Sequence, residues 1–175
     1  TTTIYLDLSL NSISYLPEKI FDHHPQLTSV NLARNTIGSV SPKVFVPLTQ
    51  LRKLFLEENN IVVINSGLFS SLEKLEILRL DGNKIEDVHN TSFENLVSLE
   101  ELYLRDNHLD EIPSLLFSKT TKLRVLDLSD NLIEYIHDGT FTHLRNLELL
   151  SLAKNRIRTL QSFSLSGLVN LKELS

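Results

Sequence analysis

The 175-residue sequence contains no cysteine, so it offers neither a disulfide nor a thiolate metal site. No apolar run approaches the roughly 20 residues that cross a bilayer as a helix. Lysine and arginine number 17 against 22 acidic residues, and the net charge of −5 is spread without a basic block. These shortages argue against a nucleic-acid partner and against electrostatic membrane attachment, because both require clustered basic side chains. Taken alone, the lack of cysteine favours a reducing compartment.

Signatures of catalysis and metal binding are also missing. No G-x-S-x-G, H-E-x-x-H, Walker A or G-x-G-x-x-G string occurs in the sequence. His23 and His24 form a contiguous pair, but no cysteine or carboxylate stands at a matching ligand spacing. We therefore expect no enzyme activity, no cofactor and no metal site.

What the sequence has instead is one pattern written seven times. Each copy contains the frame L-x-L-x-x-N-x-(I/L), and its asparagine recurs every 24 residues. The seven asparagines are Asn11, Asn35, Asn59, Asn83, Asn107, Asn131 and Asn155. A fixed period of this length predicts a solenoid, in which each unit buries its apolar face against its neighbours. We expect one array over residues 1–175, with seven repeats and the start of an eighth.

Each repeat predicts one short strand followed by a return limb, the segment that leads back to the next strand. The alternation in Leu102-Tyr103-Leu104 is typical of a strand, and one strand per repeat makes the strands parallel. Two apolar columns on the return limb are interpreted as core. They are Leu16, Val40, Ile64, Val88, Ile112, Ile136 and Leu160, then Phe21, Phe45, Phe69, Phe93, Phe117 and Phe141.

Two further features of the frame have structural interpretations. The repeated asparagines are expected to point inward, where an amide can satisfy backbone groups stranded by the turn after each strand. A leucine column at Leu48, Leu72, Leu96, Leu144 and Leu168 is interrupted by His24 and Thr120. We expect local loosening of the limb at those two positions.

The full unit, L-x-x-L-x-L-x-x-N-x-(I/L)-x-x-(I/L)-x-x-x-x-F-x-x-L, resembles the leucine-rich repeat proteins over the whole chain. Its length and phenylalanine column resemble the typical subfamily, which includes Toll-like receptors and other extracellular immune and adhesion receptors. The resemblance implies an α/β-type repeat solenoid, specifically a segment of a curved horseshoe. A parallel β-sheet is expected on the concave face, with irregular or 3-10 segments on the convex face.

The resemblance also bears on location. In this family cysteine-rich caps cover the ends of the array, and neither cap is present in the sequence. We therefore expect a segment of a longer ectodomain, so the lack of cysteine argues only weakly for the cytosol. Asn90-Thr91-Ser92 matches the acceptor motif for N-linked glycosylation and predicts a glycan on the return limb.

Function is expected on the concave surface, where the outward side chains of the strands form three columns. Phe55 and Tyr103 flank Arg79 in the central column, and aromatic and arginine anchors inside a polar rim are typical of protein-binding hot spots. The candidate ligand-binding residues are Lys53, Phe55, Glu57, Ile77, Arg79, Asp81, Glu101, Tyr103, Arg105, Val125 and Asp127. Alternatively these side chains only cover one another along the sheet, with a cation–π contact at Arg79 and no ligand.

The leading hypothesis is a ligand-recognition module of an extracellular or cell-surface receptor, with no direct membrane contact in this segment. Its partner would be a protein ligand, a co-receptor or a microbial ligand, and not a nucleic acid. Resemblance to Toll-like receptors implies that ligand binding brings two ectodomains together. The alternatives are an intracellular scaffold built from the same repeats and a structural spacer within a longer ectodomain.

Overall fold

A computed structural model describes residues 4–175, which coil into a solenoid with one strand of the main sheet in each turn. The main sheet has eight parallel strands in the order β1-β2-β3-β5-β7-β8-β9-β10. They are β1 (Tyr5–Asp7), β2 (Ser29–Asn31), β3 (Lys53–Phe55), β5 (Ile77–Arg79), β7 (Glu101–Tyr103), β8 (Val125–Asp127), β9 (Leu149–Ser151) and β10 (Glu173–Leu174). The predicted parallel solenoid is confirmed.

The solenoid curves because its two sides have different spacings. Neighbouring strands of a sheet lie about 4.8 Å apart. On the opposite side the stacked phenylalanine rings are 6.1–6.3 Å apart. The sheet therefore lines the inner, concave side. The return limbs on the outer side consist of turns and irregular backbone, without a helix in residues 4–175.

A second, smaller sheet joins the return limbs of repeats three and four. It pairs β4 (Val63–Ile64) with β6 (Asp87–Val88) in parallel. The His89 amide extends this contact by donating to the Ile64 carbonyl at 3.1 Å. Repeat five adds no strand to this sheet, so β6 is its outer edge.

The core is a continuous apolar column between the sheet and the return limbs. All six phenylalanines of the predicted column are buried, with at most 1% of each residue exposed. Four ring pairs are stacked: Phe21–Phe45, Phe45–Phe69, Phe69–Phe93 and Phe117–Phe141. The predicted spine is confirmed, and among the described rings the step from Phe93 to Phe117 is the one without a stacked contact.

The asparagines form the predicted ladder on the inside of the turn, except Asn11, which is exposed. Nδ2 of Asn107 donates to the carbonyls of Leu80 and Leu104 at 3.0 and 3.1 Å, and its Oδ1 accepts from the Ile85 amide at 2.9 Å. Asn83 and Asn131 repeat this arrangement one turn away on either side. Each amide thus connects its own turn to the preceding one and satisfies backbone groups that are buried from water.

Three expectations about the return limb need correction. Leu160, expected in the core, is 57% exposed because no later limb covers it within residues 4–175. Thr120 does not loosen its surroundings: it is fully buried and its hydroxyl donates to the Phe117 carbonyl at 3.2 Å. His24 is exposed and does not replace a core leucine.

No helix in residues 4–175 is long and apolar enough to span a bilayer.

Candidate ligand-binding site

The candidate residues lie on neighbouring strands in the predicted register. Phe55 pairs with Arg79, Arg79 with Tyr103, and Tyr103 with Asp127. The column beside it runs through Lys53, Ile77, Glu101 and Val125 in the same way. The strands hold these outward side chains on one face because alternate residues of a strand point to opposite sides of the sheet.

Only part of this set forms a concavity. A groove of about 360 Å³, here named the concave groove, runs across the sheet at the carboxyl ends of the central strands. Its walls are Glu58, Arg79, Asp81, Gly82, Tyr103, Arg105, Asp106 and Asp127. Five of the eleven candidate residues are therefore brought together. Glu101 and Val125 instead line a smaller depression of about 140 Å³ near the amino ends of the strands.

Arg79 and Tyr103 are fixed by contacts on both sides. Arg79 donates from Nε and Nη2 to the two carboxylate oxygens of Asp81 at 3.1 and 3.2 Å. Its Cζ lies 4.8 Å from the centroid of the Tyr103 ring, within cation–π range. The Tyr103 hydroxyl donates to Oε2 of Glu101 at 3.0 Å. Burial and this bond to a carboxylate raise the pKa of Tyr103 to about 12, so its hydroxyl remains a donor at physiological pH.

The second arginine of the groove is also paired. Arg105 contacts Asp130 at 3.0 Å, and Asp130 is shared with Lys154 at 3.2 Å. Asp127 accepts bonds from the Ser129 amide and hydroxyl. Among the described residues, neither Asp106 nor Asp127 has a cation within ion-pair distance. The groove walls contain two arginines against four carboxylates, so the groove is acidic.

Glu57 sits beside the groove in an unfavourable environment. Its Oε2 is buried and has no hydrogen-bond partner among the described residues. Burial raises the pKa of the Glu57 carboxyl, and the neighbouring Asp81 and Glu58 add to the increase, while Arg79 opposes it. A buried, unpaired carboxylate oxygen destabilises the folded state.

Three groove residues were missed by the sequence analysis: Glu58, Gly82 and Asp106. Each directly precedes a ladder asparagine, and each has a left-handed backbone, with φ of 53°, 65° and 54°. The same conformation recurs at Leu10, Arg34, Asp130 and Lys154. Its 24-residue recurrence before the asparagine is a signal, but only Gly82 is a residue type that strongly indicates a positive φ, and aspartate indicates it weakly.

The remaining candidate residues surround the concave groove rather than line it. Ile77 and Val125 are half-buried on β5 and β8, and Phe55 is half-buried on β3. Lys53 is exposed at the start of β3. These side chains add apolar surface next to a charged groove, which matches the composition of a protein-contact surface. No group of three His, Asp or Glu residues in the described chain could hold a metal ion.

Profiles of known protein families match the same repeats. The leucine rich repeat family profile matches residues 4–61, 49–109 and 121–175, and a second profile for two copies of leucine rich repeats matches residues 97–139. No curated protein matches the sequence significantly.

Two solved structures are similar over nearly the whole chain. A complex of TLR13 with ssRNA13 has a TM-score of 0.92 and 34% identity, covering 98% of this chain and 24% of that one. The Drosophila Toll–Spatzle complex, in its glycosylated form, has a TM-score of 0.78 and 28% identity, covering 98% of this chain and 26% of that one. The chain therefore spans about a quarter of the length of these relatives.

Sequence and structure agree over this length. The 24-residue frame, the asparagine ladder, the phenylalanine spine and the strands of the main parallel sheet recur from one turn to the next. With the family profile matched over most of its residues, the chain belongs to the leucine-rich repeat family.

Proposed function

We propose that this chain is a recognition module of an extracellular or cell-surface receptor and that it binds a protein partner through the concave groove. The observation that carries the proposal is the fixed Arg79–Tyr103 pair, held by Asp81 and Glu101 on a rigid sheet and open to solvent on one side. A surface already ordered before binding loses little side-chain entropy when a partner arrives.

The charge of the groove indicates which part of a partner would enter it. Both arginines are already neutralised, by Asp81 and Asp130, whereas Asp106 and Asp127 have no cationic partner among the described residues. Clefts lined by one sign of charge attract the opposite sign. The ligand segment that fits is therefore basic, with lysine or arginine side chains reaching the two aspartates and an apolar side chain beside Tyr103.

TLR13 was solved with a single-stranded RNA, and Toll with the protein Spatzle. For this chain the acidic groove favours the second kind of ligand, because a phosphate backbone requires a basic surface. The similarity to both receptors supports an extracellular location. An intracellular scaffold or a structural spacer would need no preformed charged groove, and no specific observation favours either.

A displayed library of random peptides tests the proposal. Peptides selected on the immobilised chain are expected to be rich in lysine and arginine, and Tyr103→Ala should weaken their binding at least tenfold, as loss of a buried aromatic anchor does. Tyr135→Ala is the matched control, since Tyr135 is an exposed tyrosine on the return limb. Peptides that bind the Tyr103 variant as tightly as the native chain, or tight binding of single-stranded RNA, would contradict the proposal.

A further inference from the structure

A second groove of the described chain lies on the return limbs, away from the concave sheet. This limb groove has a volume of about 540 Å³ and separates repeats four and five. Its polar lining comprises Asp87, His89, Asn90, Glu111, Ser114 and His137. The volume falls within the roughly 300–1,000 Å³ typical of ligand pockets. None of the residues that line the limb groove belongs to the concave groove.

Two hydrogen bonds of the preceding junction are not repeated at the limb groove. Between repeats three and four, the His89 amide and the Ser92 hydroxyl both donate to the Ile64 carbonyl, at 3.1 and 2.8 Å. One period later these positions are Pro113, which has no amide hydrogen, and Leu116, which has no hydroxyl.

The open junction leaves the edge of the second sheet uncovered. No residue of repeat five donates a hydrogen bond to the Val88 carbonyl, which belongs to the outer strand β6 and lines the limb groove. The spine is interrupted at the same junction, since Phe93 and Phe117 are not stacked. A groove with an unpaired backbone acceptor requires a donor from elsewhere.

A residue on the rim of the limb groove can carry an attached group that supplies such a donor. Asn90 is exposed, stands in a turn and begins the acceptor motif Asn90-Thr91-Ser92. We propose that Asn90 carries an N-linked glycan whose first sugars lie in the limb groove. Their hydroxyl and acetamido groups bond the Val88 carbonyl and the side chains of Asp87, Glu111 and His137.

The attachment is an oligosaccharide transfer from a lipid diphosphate donor. A bond forms between Nδ2 of Asn90 and C1 of the first sugar, while the bond between C1 and the diphosphate oxygen breaks. One amide proton and the lipid diphosphate leave. Because the sugar is tethered at the groove rim, its effective concentration at the groove is high, and weak hydrogen bonds suffice to hold it there.

A seated glycan would act as a staple across the discontinuity. It contacts Asp87 and Val88 of repeat four together with Glu111 of repeat five, where no backbone hydrogen bond to the Val88 carbonyl joins the two limbs. The inference depends on the extracellular location proposed above, because glycan transfer takes place in the secretory route. It does not depend on the concave groove.

The test uses the chain secreted from eukaryotic cells, with intact mass measured before and after peptide N-glycosidase. A mass increase that disappears in Asn90→Gln is expected. Release of the glycan from the folded chain should be slow, and Glu111→Ala with His137→Ala should accelerate it about tenfold, as loss of one or two hydrogen bonds implies. The matched control replaces Glu73 and His143, which are exposed and outside the limb groove, and should leave the rate unchanged.

Two outcomes would overturn the inference. An unmodified Asn90 in the secreted chain would remove the glycan, while leaving the peptide-binding test of the concave groove intact. A modified Asn90 whose glycan is released equally fast from the native chain and from the Glu111 and His137 variant would show that the sugars do not occupy the limb groove.

Discussion

The Arg79 guanidinium lies against the Tyr103 ring of the next strand, with Cζ 4.8 Å from the ring centroid, while two of its nitrogens bond Asp81. The pair is directly adjacent in the parallel register, so the sheet itself sets its separation. The carboxylate fixes the guanidinium, and the tyrosine hydroxyl is fixed by Glu101. The central feature of the candidate site is therefore ordered without a ligand.

We predict that Arg79 and Tyr103 are energetically coupled. In a double-mutant cycle with Arg79→Met and Tyr103→Leu, the coupling in the free energy of unfolding should be about 0.5–1 kcal/mol, the value typical of a partly exposed cation–π pair. Urea denaturation of the four proteins measures it. Arg105 with Tyr103 gives a comparison cycle, because Arg105 is instead paired with Asp130. Additive effects of the Arg79 and Tyr103 substitutions would contradict the prediction.

The asparagine ladder should contribute strongly to stability wherever it connects two turns. Asn107→Ala removes donors to Leu80 and Leu104 and leaves the Ile85 amide without an acceptor. We expect a loss of about 2–4 kcal/mol in the free energy of unfolding, since buried backbone groups lose their partners. Chemical denaturation provides the measurement.

Asn11 is the matched control for that experiment. It is exposed, and within residues 4–175 its Nδ2 donates only to carbonyls of its own repeat, those of Leu8 and Ser9. Asn11→Ala should cost less than about 1 kcal/mol, because the groups it leaves behind can be solvated. Equal losses at Asn11 and Asn107 would mean that bridging between turns is not the source of the effect.

Glu57 gives a prediction about pH. Its carboxyl has a raised pKa in the folded chain, owing to burial, so the folded state binds more protons than the unfolded state between the two pKa values. Stability therefore decreases as pH rises through that interval. Glu57→Gln should stabilise the chain by about 1 kcal/mol at pH 7, because the neutral amide removes the charge that burial disfavours.

The same substitution should have little effect in acid. Below about pH 4, the ordinary range of glutamate, Glu57 is protonated in both states and resembles glutamine in charge. Unfolding by urea across pH 3.5–7.5 measures the difference at each pH. A stabilisation that is constant with pH would indicate a packing effect of glutamine rather than relief of a buried charge.

The fixed period explains why so much of the fold could be predicted. Once Asn83 and Asn107 occupy the same place in successive turns, Arg79 and Tyr103 must be strand neighbours, and the structure confirms that register. The phenylalanine spine could be predicted in the same way, because its residues also recur every 24 positions. The outward set could be predicted from the alternation of each strand, because one face of the strand is buried.

The parts that could not be predicted depend on backbone conformation and on junctions between repeats. Glu58 and Asp106 reach the concave groove from left-handed positions, which glutamate does not predict and aspartate predicts only weakly. The limb groove is lined by residues of successive repeats, and no single repeat contains the information that would predict it. Such sites depend on pairs of repeats rather than on the motif.

The junction between repeats six and seven supplies a last prediction, which separates backbone strain from steric exclusion. Gly167 has φ of +94°, and a Cβ there would lie 2.5 Å from the Cα and carbonyl oxygen of Thr142. Gly139 has a similar φ of +83°, but the nearest atom to its Cβ would be the Thr142 hydroxyl oxygen at 3.6 Å. Gly139→Ala should therefore cost about 1–2 kcal/mol for the left-handed backbone alone.

Gly167→Ala should cost about 2–4 kcal/mol, because the limb of repeat seven must also move away from Thr142 to admit the methyl group. Gly38→Ala is the neutral reference, since its Cβ would meet nothing closer than the Asn60 carbonyl oxygen at 3.9 Å. Thermal and urea unfolding rank the three variants by their loss of stability. If Gly167→Ala were no more destabilising than Gly139→Ala, the close approach at Thr142 would not be what holds repeat seven against repeat six, and backbone conformation alone would account for both glycines.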